Sequence, residues 1–89
     1  MSNLGIFKIN TNKTYQKVSD LTGINFVAGS KYQLQVQTYN GEPFYFCVDS
    51  VLPTSGGFKV GLDPFSYTVV EGSDLYVYTH GEIYLNIAV

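Results

Sequence analysis

The residues able to do chemistry in this 89-residue chain are few, and their spacing closes most of the reactions open to them. His80 is the only histidine and falls in "YTHGEI" at 78–83, a tight turn between two alternating runs. A multi-histidine metal site is therefore closed to one chain, a triad is not expected, and His80 reads as a solvated turn residue. Cys47, the only cysteine, lies in "PFYFCVD", where it reads as a small strand hydrophobe rather than a nucleophile. A single cysteine also excludes an intramolecular disulfide and a Cys-rich zinc site. The acids Asp20, Glu42, Asp49, Asp63, Glu71, Asp74 and Glu82 fall mostly at strand ends and turns. Carboxylates there accept hydrogen bonds from backbone N–H groups or keep the surface soluble. Nothing in their spacing marks a glycosidase pair. The glycines of "GSKYQ" and "SGGFKVG" precede β-type sequence, whereas a phosphate loop opens a helix. The expectation is a non-enzymatic protein with no cofactor and no metal.

Composition narrows the partners. Charged residues make up only 13% of the chain, with five lysines, no arginine and seven acids, for a net charge of −2. Nucleic-acid binding is not expected, since neutralising phosphates needs a basic face. Hydrophobic residues at 45% and aromatics at 16% supply a dense core and argue against disorder. No apolar run approaches the roughly 20 residues of a membrane span. The start, "MSNLGIFKIN", lacks the charged opening and long apolar stretch of a signal peptide. These features predict a soluble protein made in a reducing compartment, with no membrane partner.

The elements that must position these residues are strands. Apolar residues recur at every second position, and Val, Ile, Thr, Tyr and Phe dominate. The pattern predicts strands near 32–38, 43–49, 58–60, 65–70, 74–79 and 82–88, with weaker ones near 5–9, 15–19 and 24–27. "TYQKVSDLTG" at 14–23 has room for one helical turn at most. The whole, residues 1–89, reads as one all-β domain, a small antiparallel β-sandwich or barrel, in which the less periodic residues 1–14 can act as an N-terminal arm.

Two phrases, "TYNGEP" at 38–43 and "YTHGEI" at 78–83, read as hairpin turns. A two-residue Asn40-Gly41 turn would mix polar and apolar side chains on one face. A three-residue Tyr39-Asn40-Gly41 loop instead sets Val36 opposite Phe44, Leu34 opposite Phe46 and Tyr32 opposite Val48. By the same device Thr79-His80-Gly81 sets Val77 opposite Ile83 and Leu75 opposite Leu85, with Tyr76 meeting Tyr84 on the reverse side. Both closing glycines are expected at positive φ, where a Cβ is disfavoured.

That register leaves Tyr76, Tyr78 and Tyr84 projecting outward, and Gln33, Gln35 and Gln37 alternating with the core positions of "KYQLQVQTY". Tyrosines there have two readings: cross-strand pairing on a half-covered sheet, or a contact surface with large area and a hydrogen-bonding tip. Uncharged amides read as a solvated strand or as packing that avoids the desolvation cost of charge. Together these six residues are the expected interface.

"PTSGGFKVGLDPFSYTVVEGSDLYVYTHGEIYLNIAV", with the upstream "VAGSKYQLQVQ", resembles small β-rich virion proteins of tailed bacteriophages. The resemblance covers roughly residues 28–89 and rests on pattern rather than on an invariant motif. It implies a structural role in the virion, assembled in the host bacterial cytoplasm, as a head decoration or auxiliary capsid protein. Such a protein would bind capsid, other virion proteins or sibling subunits, as a homo-oligomer with a trimer among the orders open to it. The alternative is a carbohydrate-binding module of a phage fibre or baseplate, with Tyr76, Tyr78 and Tyr84 as a stacking platform.

Overall fold

The computed structural model describes residues 3–89, and among them no two strands consecutive in the chain are paired with one another. The strands are β1 (Asn3–Ile9), β2 (Tyr15–Lys17), β3 (Lys31–Tyr39), β4 (Phe44–Asp49), β5 (Phe65–Thr68), β6 (Asp74–Thr79) and β7 (Ile83–Ala88), with one short helix, α1 (Val18–Thr22). Four strands form an antiparallel sheet in the order β1-β7-β3-β5, and three form a second in the order β2-β6-β4. The chain thus changes sheet at every connection. The fold is an all-β sandwich.

Alternation explains the packing. Along β3, Tyr32, Leu34 and Val36 are buried while Gln33, Gln35 and Gln37 face out. Along β7, Ile83, Leu85 and Ile87 are buried and Tyr84 is exposed. The facing sheet contributes Phe44 and Phe46 from β4 and Leu75 and Val77 from β6. The period of two drives one side of each sheet from water, and two such sides cover each other. "PFSYTVV" behaves as its pattern predicts, with Phe65, Tyr67 and Val69 turned inward and packed in or against the core.

Both expected hairpins are absent. β3 pairs with β5 and β7, and β4 pairs with β6, so Val36 lies beside Leu85 and Phe46 beside Val77. "TYNGEP" and "YTHGEI" are arches that carry the chain from one sheet to the other. Leu75 and Leu85 do share an interior, but from opposite sheets. A rule that apolar must meet apolar is satisfied by either construction, so burial alone could not select the hairpin. Gly41 has the expected positive φ of 90°, holding a turn in which the Asn40 side chain accepts the Glu42 N–H at 3.1 Å. Gly81 does not. A Cβ there would meet the exposed Asn40 side chain of the other arch, which would have to swing aside. The two arches are also tied by His80 N–H to the Pro43 carbonyl at 3.2 Å.

Several smaller expectations resolve differently. Residues 24–27 make no strand; Ile24 and Phe26 nonetheless turn inward, and Phe26 meets Tyr32 and Tyr67 edge-on at 4.8 and 5.5 Å. The stretch 58–60 reduces to a single bridge, with Phe58 and Phe46 exchanging backbone bonds of 2.7 and 3.0 Å. The helical turn is α1, closed by Gly23 at φ 75° with its N–H on the Ser19 carbonyl. The described part of the expected N-terminal arm is largely β1, laid along β7 at the edge of the larger sheet, with Ile9 in the core. Residues 1 and 2 lie outside the described residues.

The passage from β1 to β2 is fastened by a reciprocal clasp. Thr11 N–H donates to Thr79 Oγ1 at 2.9 Å, and Thr79 N–H donates to Thr11 Oγ1 at 2.8 Å, both residues being buried. Lys13 N–H adds a bond to the Thr79 carbonyl at 2.7 Å. Each threonine supplies the acceptor that a buried amide of the other would otherwise lack.

Candidate binding faces

The outer sides of the two sheets differ in chemistry. On the larger sheet, register places Ile6 beside Asn86 and Gln35, and Lys8 beside Tyr84 and Thr38. Ser66 and Gln33 continue the surface toward β5. Leu4, Ile6 and Tyr84 are exposed here at 40%, 59% and 37%. The amides form a row, with Gln37 Nε2 donating to Gln35 Oε1 at 3.2 Å and Gln35 Nε2 to the Leu62 carbonyl at 2.9 Å. Charge is confined to the rim, where Lys8 and Glu82 pair at 3.2 Å. Hydrogen bonding to Lys8 holds the Glu82 carboxyl below the usual carboxylate range, and the same bond raises Lys8.

On the smaller sheet, β2, β6 and β4 align Tyr15, Tyr78 and Tyr45 in one cross-strand row. Ring centroids are 5.0 Å apart for Tyr15 and Tyr78 and 5.9 Å for Tyr45 and Tyr78, each pair tilted. His80 packs edge-on against Tyr78 at 5.3 Å, so it is half-buried against a ring rather than a freely solvated turn residue. Residues 54–57 fold back over this row, and the Tyr15 hydroxyl donates to the Gly56 carbonyl. Gly57, at φ 115°, makes that approach possible: a Cβ there would stand 2.9 Å from the Phe46 carbonyl oxygen. Partial burial raises the Tyr15 phenol above its ordinary range. The result is a trough of about 430 Å³ lined by Tyr15, Tyr45, Tyr78, His80 and residues 54–57.

The six residues expected to form one interface are therefore divided. Gln33, Gln35, Gln37 and Tyr84 lie together on the larger sheet, while Tyr76 and Tyr78 belong to the smaller one, on the opposite side of the sandwich. The expected platform of Tyr76, Tyr78 and Tyr84 does not exist. Tyr76 points to the outer side but is only 3% exposed, flanked in register by Lys17 and Cys47. Tyr15 and Tyr45 were not expected at this surface. Their outward direction is readable from alternation in "TYQKV" and "PFYFCVD", but the order of strands that makes them neighbours of Tyr78 is not.

The remaining reactive groups are held apart. Cys47 sits on the outer side of β4, where burial pushes its thiol up and so reduces the thiolate needed for attack. Asp49 caps the turn after β4, accepting Ser50 N–H at 2.7 Å. Among the described residues no group of three or more His, Cys, Asp and Glu is placed to hold a metal ion. Comparison with protein-family models, curated proteins and solved structures finds no match to this chain.

Proposed function

We propose that this chain is a non-enzymatic structural protein of a tailed-bacteriophage particle, a head decoration or auxiliary subunit that binds sibling subunits or capsid through the outer side of its larger sheet. The observation that carries the binding part is that surface itself: Leu4, Ile6 and Tyr84 exposed beside a row of glutamines, with charge only at the rim. A surface of this kind loses little in desolvation when covered, because its polar groups are amides that re-form hydrogen bonds across an interface. It ends at β1, whose outer edge pairs with no other strand among the described residues and offers backbone groups to a partner strand. The virion part rests on the sequence resemblance over residues 28–89.

Two measurements test the reading. The mass of the chain in solution should exceed that of a monomer, and Ile6→Asp, which charges the exposed apolar edge, or Gln35→Asp, which charges the middle of the surface, should return it to monomer without unfolding it. Mass spectrometry of purified particles should find the chain in stoichiometric amount. A monomer at every soluble concentration, together with absence from particles, would exclude the proposal.

A further inference from the structure

We propose that the tyrosine trough of the smaller sheet is a binding site for a neutral sugar, distinct from the self-association surface on the other side of the sandwich. Its walls combine two features. Tyr15, Tyr78 and Tyr45 present aromatic surface across three strands. Thr54, Ser55 and His80 bring groups that both donate and accept hydrogen bonds, and none of the lining residues is an acid, a lysine or an arginine. A sugar ring has the matching halves, with C–H faces that stack on aromatic rings and hydroxyls that donate and accept. A charged ligand would enter without a counter-charge among the lining residues.

Size and rigidity agree with that occupant. The row crosses two interstrand spacings, roughly 10 Å, which suits a mono- or disaccharide, and the trough's volume of about 430 Å³ falls in the range of small-ligand sites. The rings stand on paired strands, and the covering loop is held by the Tyr15 hydroxyl and by Gly57 packed against β4. Little ordering is left for a ligand to drive. A proline-rich peptide also seeks tyrosines, but its prolines bring carbonyl acceptors and no N–H donors.

The test uses the full chain on an array of immobilised neutral and acidic oligosaccharides, with decaproline as the peptide arm, and then titrates the best binder in solution while following backbone amide shifts. A neutral oligosaccharide should bind and move the amides of residues 54–57. Tyr78→Ala should weaken it roughly tenfold or more, the loss expected for one aromatic contact. Ser55→Glu, on an exposed part of the loop, should weaken it comparably without touching the core, which keeps the test intact if Tyr78→Ala fails to fold. Val70→Ser, exposed and outside the trough, should bind as well as the parent, and Ser55→Glu should leave the oligomeric mass unchanged. The proposal is overturned if no neutral sugar binds at millimolar concentration, if binding survives both Tyr78→Ala and Ser55→Glu, or if decaproline is the ligand the trough selects.

Discussion

Replacing Thr79 by Val isolates the clasp that fastens the passage from β1 to β2 onto β6. Valine keeps the shape of threonine and exchanges the hydroxyl for a methyl group, so core volume is nearly unchanged. What disappears is the acceptor for Thr11 N–H, now 2.9 Å away, at a position where Thr11 is 1% and Thr79 0% exposed. Water cannot replace it. A buried donor left unpaired costs about 1–3 kcal/mol. In a domain of this length each 1 kcal/mol shifts the melting temperature by roughly 4–8 °C. A loss near 2 kcal/mol should therefore lower it by roughly 8–16 °C. Urea denaturation should give a lower midpoint at unchanged slope, as expected when stability changes but the exposed surface does not. Amide exchange supplies the local readout: Thr11 N–H should lose protection in Thr79→Val, and Thr79 N–H in Thr11→Val, since the latter bond of 2.8 Å depends on Thr11 Oγ1. A Thr79→Val protein within about 0.5 kcal/mol of the parent, the range of an ordinary surface substitution, with Thr11 still protected, would show that the clasp does not fasten the passage from β1 to β2.

Three further outcomes follow from the geometry. Gly57→Ala adds a Cβ 2.9 Å from a backbone oxygen at φ 115° and should cost about 1–3 kcal/mol, with faster exchange at Phe58 N–H; Gly56→Ala, whose Cβ meets nothing within 4 Å at φ 86°, should cost less, and equal costs would contradict the close approach. For the Lys8–Glu82 pair the signs differ at the two ends of the pH scale: Glu82, lowered from 4.5, contributes above its unfolded value and loses that contribution as pH falls through its folded value, while Lys8, raised from 10.5, contributes below its unfolded value and loses it as pH rises through its folded one. Carbon-detected titration should find the Glu82 carboxyl below 4.5 in the parent and higher in Lys8→Met, where only the Tyr84 hydrogen bond still lowers it; no upward move on removing Lys8 would rule out the pairing. Folding should be slow, on the order of milliseconds to seconds, because every strand pairing joins segments that are not consecutive in the chain; a microsecond phase carrying the full amplitude in stopped-flow or temperature-jump experiments would argue against this topology.

Sequence alone determined which way side chains point. The period of two in "KYQLQVQTY" and "IYLNIAV" separated Leu34, Val36, Leu85 and Ile87 from Gln33, Gln35 and Tyr84, and all of these lie on the side the pattern gives them. It also determined the all-β class and the positive φ at Gly41, and limited any helix before Gly23 to a single turn. These are local properties, set by the steric alternation of the strand and by the conformations a residue without a Cβ can adopt.

Tertiary structure decided which strands are neighbours. A turn between two amphipathic strands closes a hairpin or arches over to a second sheet, and both place apolar side chains in one interior. Choosing between them depends on pairings such as Ile9 with Ile83 and Leu34 with Ile87, between segments far apart in the chain. That choice sent Tyr84 to one side of the sandwich and Tyr78 to the other, buried Tyr76, and assembled Tyr15, Tyr45 and Tyr78 from three separate strands into one trough. Alternation assigns a side chain to a face. Only the global order of strands assigns it neighbours, and binding is done by neighbours.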